Sequence, residues 1–328
     1  MSFIRTVLGD VASADLGVTY AHEHLIIDGG RPVELYPDFL LADVDKAVEE
    51  VAAARALGLS AIVDAMPCDA GRNVSKLAEI SRRTGVHVVA PTGLHLAKYY
   101  GERHWSVLLD AEALAGMFAG DIVEGIDEHD YHGPPVHRTD HRAGVIKIAG
   151  SLDGLTPLEE KVFAAAAAAH VATGCPILTH CQDGTAALEQ LETLGRGGVE
   201  PHHVVLSHTD KVVDRGYHRA ILETGAYVEY DQAFRWRPGE ENGTLSLLGW
   251  MFEDGHGDRL MLGMDAARQG YWTAYGGSPG LTFLLGPFAT AMAERGIGPA
   301  EQRALFVDNP ARAFAFAPTD TAGATDHG

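Results

Sequence analysis

The run Leu16-Gly17-Val18-Thr19-Tyr20-Ala21-His22-Glu23-His24-Leu25 decides how this chain is read. An apolar, β-branched stretch ends on two imidazoles separated by one Glu. In a strand, residues two apart share a face, so His22 and His24 can grip one cation together while Glu23 points away. A His-x-His pair in an isolated strand is commonly structural, so its meaning depends on what the rest of the chain brings to it.

Four later strand-like runs each end on a residue a metal can use. Gly144-Val145-Ile146-Lys147 ends on a Lys, Pro176 to His180 and Val204 to His208 each end on a His, and Leu260 to Asp265 ends on an Asp. Each has an ordinary structural reading: a buried His satisfied by a carbonyl, a snorkelling Lys, an Asp capping a helix. Their shared position at strand ends favours the other reading. In a (β/α)8 barrel the C-terminal ends of all strands converge on one mouth, where the active site sits. His22, His24, Lys147, His180, His208 and Asp265 are therefore expected in one pocket.

The remaining sequence alternates short apolar runs with amphipathic stretches, the pattern of repeated β/α units. Phe3 to Gly9 and Leu16 to His24 are expected to form an opening hairpin leading into the first barrel strand. Helices are expected over Asp43 to Leu57, Asn73 to Arg83, Ala111 to Glu124, Pro157 to Ala172, Thr185 to Leu194, Asp214 to Thr224, Leu245 to Glu253 and Leu281 to Glu294. Six successive Ala from Ala164 have high helix propensity and are read as helix, not linker. Strands are expected at Ser60 to Ala65, Val86 to Pro91 and Ala226 to Tyr230, besides those already named. With eight strands, residues 1–317 form one barrel domain. Pro299 to Phe316 reads as a terminal helical segment, and 318–328, polar and rich in small residues, reads as a frayed tail.

Composition fits a barrel and removes other classes. The 328 residues exceed the roughly 250 typical of such a barrel, leaving room for extra elements. Hydrophobic residues make up 46% of the chain, yet no run approaches the ~18 consecutive apolar residues of a membrane span. Met1 to Thr6 lacks the apolar core and cleavage site of a secretory signal, so a cytoplasmic protein is expected. The three Cys are too few and too irregularly spaced for a disulfide framework or thiolate zinc site. With 25 Lys plus Arg against 45 Asp plus Glu, the formal charge of −20 repels nucleic acid and anionic membranes. The expected partner is a small-molecule substrate, and a homodimer is the assembly anticipated. His129, His132, His137 and His141 fall between Glu128 and Arg142 and read as a solvated loop.

The opening Gly17 to Leu25 run, the Lys147 strand, the Thr179-His180 and Ser207-His208 strand ends, Asp265 and the closing Asn309-Pro310-Ala311-Arg312 together resemble the phosphotriesterase family of the amidohydrolase superfamily. The resemblance spans nearly the whole chain. It implies a distorted (β/α)8 barrel with two divalent metals, zinc first and manganese, cobalt or iron as alternatives, bridged by hydroxide and by a carboxylated Lys147. On that pattern His22, His24 and Asp265 bind the buried ion and His180 and His208 the exposed one. An unmodified Lys147 ammonium has no acceptor and repels cations, hence the carboxylation. Asp265 is then also the catalytic residue that takes a proton during hydrolysis.

Substrate class is read from departures within the family. The chain has Ser207-His208-Thr209-Asp210-Lys211, without the carboxylate three residues after His associated with the proton relay of organophosphate hydrolases. Asp265 to Trp272, followed by Tyr275-Gly276-Gly277, resembles the branch that hydrolyses sugar lactones, some of them phosphorylated. Lys211, Arg235, Arg268 and Tyr271 lie on loops bordering the mouth and are the expected substrate-binding residues. Lactone hydrolysis is therefore the first reading. A phosphotriesterase, or a carboxylesterase or amide hydrolase, with the same metals is the alternative, and a silent ligand-binding barrel is a third. Mononuclear deaminases share the His-x-His strand and the Asp, but Lys147 favours two metals.

Overall fold

The structure, a computed structural model, describes residues 2–133, 135–152, 154–236 and 240–319. The fold is a distorted (β/α)8 barrel. Before it comes an antiparallel hairpin of β1 (Phe3–Thr6) and β2 (Gly9–Ala12), with Phe3 opposite Ala12. The hairpin expected from the sequence is therefore present with a different second strand: the chain reverses within Thr6 to Gly9, where Thr6 Oγ1 donates to Gly9 O at 2.7 Å. Leu16 to His24 is left free to supply β3.

The barrel strands are β3 (Thr19–Glu23), β4 (Ala61–Asp64), β5 (His87–Val89), β6 (Pro91–Gly93), β7 (Val145–Gly150), β8 (Ile177–Cys181), β9 (Val204–Ser207), β10 (Tyr227–Tyr230) and β11 (Leu260–Leu262). All pairs among them are parallel, in one ladder β3-β4-β5 and another β6-β7-β8-β9-β10-β11. Where one strand was expected from Val86 to Pro91, β5 and β6 follow each other across Ala90, so together they fill one barrel position. Pro91 has no N–H to give a ladder, which accounts for the break. At the opposite seam the His22 carbonyl accepts the N–H groups of Met264 and Asp265, at 3.2 and 3.0 Å.

Alternation along the strands sorts side chains between two cores. Val145, Leu178, Val205, Tyr227 and Met261 point into the barrel with Ala21, Ala61, Val63 and Val89. Ile146, Ile177, Leu206, Val228 and Leu262 face the surrounding helices. Inward positions recur every second residue, which brings Lys147 after Val145, His180 after Leu178, and Asp231 after Tyr227 and Glu229 toward the mouth. β3 departs from strict alternation, its register against β4 slipping between Tyr20 and Glu23.

The outer helices start where local chemistry predicts. Asp43, Asn73, Asp110, Asp214 and Asn242 each accept a backbone N–H of the first turn of the helix that follows. The alanine-rich helix Pro157–Thr173 opens with a reciprocal Thr156 and Glu159 capping box. The expected helix from Leu281 to Glu294 is instead a π turn over Leu284–Phe288, containing Pro287, followed by α-helix Ala289–Glu294. Pro287 cannot donate, and the ladder resumes with Phe288 N–H on Phe283 O, five residues back. The chain returns to its start when Phe316 N–H donates to Phe3 O at 3.0 Å. Of the expected frayed tail, residues 320–328 lie outside the described residues.

Among the described residues no helix is long and apolar enough to cross a membrane. The 128–142 stretch is a structured excursion rather than a free loop: His141 Nδ1 lies 2.7 Å from Val7 O and His132 Nε2 2.7 Å from Asp69. Among the described residues none of its four His joins a cluster of three metal-ligating side chains.

Candidate metal centre and active site

The strand ends deliver ligating atoms to one cavity of about 280 Å³. His24 Nε2 lies 3.2 Å and His22 Nε2 3.8 Å from Asp265 Oδ1, so three potential ligands from the first and last barrel strands converge. The His208 ring centroid is 4.9 Å from that of His22 and 4.4 Å from that of His180. Two of these residues have unusual backbones: His208 at φ 66° and Asp265 at φ 47°, both left-handed. Non-glycine residues hold that region only where surroundings over-determine it, and such strain clusters at functional sites.

Lys147 lies beneath them, 1% exposed, its Nζ without a hydrogen-bond partner. Gly93 on the neighbouring strand makes this approach possible, because a Cβ there would meet Lys147 O at 2.0 Å. Burial, only partly offset by Asp265, Glu229 and Asp231, pulls the Lys147 amine down to about 8. Burial also holds His22, His180 and His208 below the ordinary imidazole range, which keeps their ring nitrogens free of extra protons and able to ligate. Against burial, which raises it, the His24 hydrogen bond and the Arg235 charge hold the Asp265 carboxyl well below its usual value.

The histidines are themselves oriented. His208 Nδ1 bonds Asp231 Oδ2, and His22 Nδ1 sits 3.0 Å from Ser207 Oγ and 3.3 Å from Glu229 Oε2. Each leaves its Nε2 for the cavity, the carboxylate–histidine pairing typical of metal sites. Asp231 is in turn placed by Asp210, which accepts the N–H groups of Asp231 and Gln232 and the Thr244 hydroxyl.

All four expected substrate-binding residues line the cavity, with different freedom. Arg235 donates to Asp265 O at 2.7 Å and Oδ2 at 3.1 Å and to Asp231 O at 2.8 Å. Arg268 pairs with Asp38 at 2.6 Å and stacks over Phe39. Tyr271 packs edge-on against Phe234. Lys211 has no carboxylate within ion-pair distance among the described residues, and neither does Lys98, which also lines the cavity.

Sequence reasoning missed Lys98 and His95. The His95 ring is 4.8 Å from that of His180. The strand-end rule that found the other ligands would have found His95 had the third barrel strand been carried to Gly93 instead of ended at Pro91. Glu23, expected to point away, is fully buried at the β11–β3 seam.

The donor set fits a pair of divalent ions. The donors of His22, His24 and Asp265 lie close enough together to hold one ion, and the His180 ring stands beside that of His208 with Nε2 2.9 Å from Gln182 Oε1. Lys147 Nζ is buried without a hydrogen-bond partner, and a neutral amine is the form that adds carbon dioxide to become an anionic carbamate with two oxygen donors.

The phosphotriesterase family model matches residues 2–314. A phospho-furanose lactonase of Mycoplasmopsis synoviae (strain 53) is 34% identical over 324 residues, covering 96% of this chain and 92% of that protein. A lactonase structure from Listeria monocytogenes superposes with a TM-score of 0.87 at 30% identity, covering 96% of this chain and 100% of that one. The phosphotriesterase homology protein from Escherichia coli, complexed with phosphate in its active site, superposes with a TM-score of 0.83 at 31% identity, covering 91% and 99%.

Proposed function

This chain belongs to the phosphotriesterase family and is a hydrolase of ester bonds, and on that premise we propose that it is a binuclear metal-dependent lactonase whose substrate is a sugar lactone bearing an anionic group such as phosphate. The observation that carries the substrate class is at the mouth. In a chain of formal charge −20, Lys98 and Lys211 line the cavity with no carboxylate at ion-pair distance among the described residues, Asp183 acting on Lys98 only from further away. An acidic protein that keeps two such ammonium groups beside its reacting centre is suited to an anion. The phospho-furanose lactonase relative and the phosphate in the Escherichia coli homologue's active site support the same chemistry.

His22, His24 and Asp265 would hold one ion, His180 and His208 the other, with carboxylated Lys147 between them; zinc is the first choice of metal. Such ions supply Lewis acidity at the ester oxygen and lower the pKa of water from 15.7 toward about 7. The chain's own groups do the rest. Asp265 turns Oδ1 toward His22 and His24 and takes the proton released as water attacks the lactone carbonyl. Arg235 on Oδ2 fixes which oxygen faces the reaction, and being permanently charged it leaves the proton to travel to the departing ring oxygen. Lys98, Lys211, Arg268 and Tyr271 hold the distal end of the substrate. A cytoplasmic setting is part of the proposal, in keeping with three free, buried cysteines.

The test is a panel of lactones, each with and without phosphate, assayed by proton release. Turnover highest for phosphorylated lactones is the expected result. Higher kcat/KM for neutral organophosphates or aryl esters than for any lactone would overturn it.

A further inference from the structure

The middle residue of His22-Glu23-His24 takes no part in the chemistry above, yet its carboxylate is fully buried at the seam where β11 meets β3. Glu23 Oε1 accepts Met264 N–H at 2.9 Å and Oε2 accepts Ala266 N–H at 3.3 Å. Between these two amides lies that of Asp265, which donates to His22 O at 3.0 Å. Three consecutive amides just beyond the last barrel strand are thus held by two consecutive residues of the first. The preceding Gly263 admits this approach, since a Cβ there would lie 2.7 Å from both His22 N and His22 O.

The clamped residue is the one with φ 47°. Asp enters that region more readily than most residues, and Ala267 N–H donates to Asp265 O at 2.9 Å, but neither local feature fixes where the residue sits against β3, so its placement depends on contacts from outside. Among the described residues, the only carboxylate touching the amides on both sides of it is Glu23. Burying a carboxylate is costly even with two N–H donors on it, and a neutral side chain would make a cheaper seam. From this geometry we infer that Glu23 is a positioning residue: it acts through Asp265, fixing the backbone of the third metal ligand from the strand that donates the first two. His22-Glu23-His24 is then one device with two opposite outputs, imidazoles to the ion and a carboxylate to the partner ligand's main chain. The inference rests on the reading of Asp265 as a metal ligand, and it is independent of which ester is hydrolysed.

The experiment is a double-mutant cycle read by metal affinity, using zinc alone in competition with a chromophoric chelator. Glu23→Gln keeps the shape but turns an amide NH₂ toward one backbone N–H. It should weaken zinc binding at the His22, His24 and Asp265 site about 10- to 100-fold, the range for groups that orient metal ligands, and should have no further effect in an Asp265→Ala background. Glu23→Asp, too short to span both amides, should behave likewise. Losses that add to those of Asp265→Ala, or unchanged affinity, would overturn the positioning role. Hydrogen exchange in metal-free wild-type protein provides a check that needs no variant: the Met264 and Ala266 amides should exchange as slowly as core-strand amides, and rapid exchange would likewise overturn it. Since neither readout uses a substrate, an intact cycle in a protein that hydrolyses no lactone would defeat the proposed function and leave this inference standing.

Discussion

Replacing Lys147 by Met should abolish the two-metal centre and at the same time make the metal-free protein more stable. The donor count gives the first half. Without residue 147, His22, His24 and Asp265 still provide three ligands, while His180 and His208 provide two, below the three protein ligands usual for catalytic zinc. Metal content should fall from about two ions per chain to about one, and kcat by more than about a hundredfold, since even groups that only orient ligands are worth 10- to 100-fold. The second half follows from the amine's burial. Lowering its pKa from 10.5 to about 8 means that the charged form is destabilised by roughly 3 kcal/mol in the folded protein relative to the unfolded chain. Below pH 8 the amine is charged in both states, so the whole penalty is present at pH 7 and removed in the variant; it fades as pH rises from 8 to 10.5. Methionine has nearly the same length and no charge, and Nζ has no hydrogen bond to lose. Urea unfolding of chelator-treated proteins at pH 7 should therefore favour the variant by up to about 3 kcal/mol, with metal counted by elemental analysis. Labelled bicarbonate should enter the wild type once per chain and the variant not at all. Two retained ions with near-normal turnover, or a metal-free variant less stable than wild type, would refute the reasoning.

Asp231→Asn removes the carboxylate behind His208 and should weaken metal binding or activity about 10- to 100-fold, checked by the same chelator competition. Lys211→Met should lower kcat/KM for a phosphorylated lactone by roughly 10- to 150-fold, the equivalent of about 1.5–3 kcal/mol for a charge-assisted contact, and leave its unphosphorylated counterpart nearly unchanged. Arg268→Met should show the same selectivity with a smaller loss, because Asp38 already occupies part of that guanidinium; equal losses on both substrates would assign Arg268 to loop support. His218, pushed down to about 4 by burial and bonded to Val212 O and the Tyr230 hydroxyl, is held neutral in the fold. Its contribution is fully present above pH 6.5 and lost as pH falls from there toward 4. Metal-free protein should therefore lose about 2 kcal/mol more stability between pH 7 and 5 than a His218→Gln variant, as read by urea midpoints.

The β/α alternation and the convergence of His22, His24, His180, His208 and Asp265 on one cavity were legible because both depend on short-range pattern. Apolar runs announce strands, and a barrel brings every strand end to one rim whatever lies between. Residues whose roles depend on partners far along the chain were not legible. Alternation turned Glu23 away from His22 and His24, but it carries no information about a segment 241 positions later. The register slip after Tyr20 was likewise invisible. Arg235 and Arg268 could be assigned to the mouth from their neighbours in sequence, yet their carboxylate partners come from elements that only folding brings near. The hairpin was paired wrongly because any two apolar runs look compatible until the turn between them is known. At Pro287 helical periodicity continued across a residue that cannot complete the ladder.

The seam between β11 and β3 also constrains how the protein is made. The ligands proposed for one ion, His22, His24 and Asp265, are split between the start and the end of the polypeptide, and contacts of such sequence separation are the slow ones to form. During vectorial synthesis the two imidazoles emerge early and wait, without their third ligand, until nearly the whole molecule has been translated. A truncated product lacking the last barrel strand retains His22 and His24 but has neither Asp265 nor the amides that Glu23 grips. Catalytic competence is thereby tied to completion of the chain, and an unfinished copy is excluded from the reaction by its own topology.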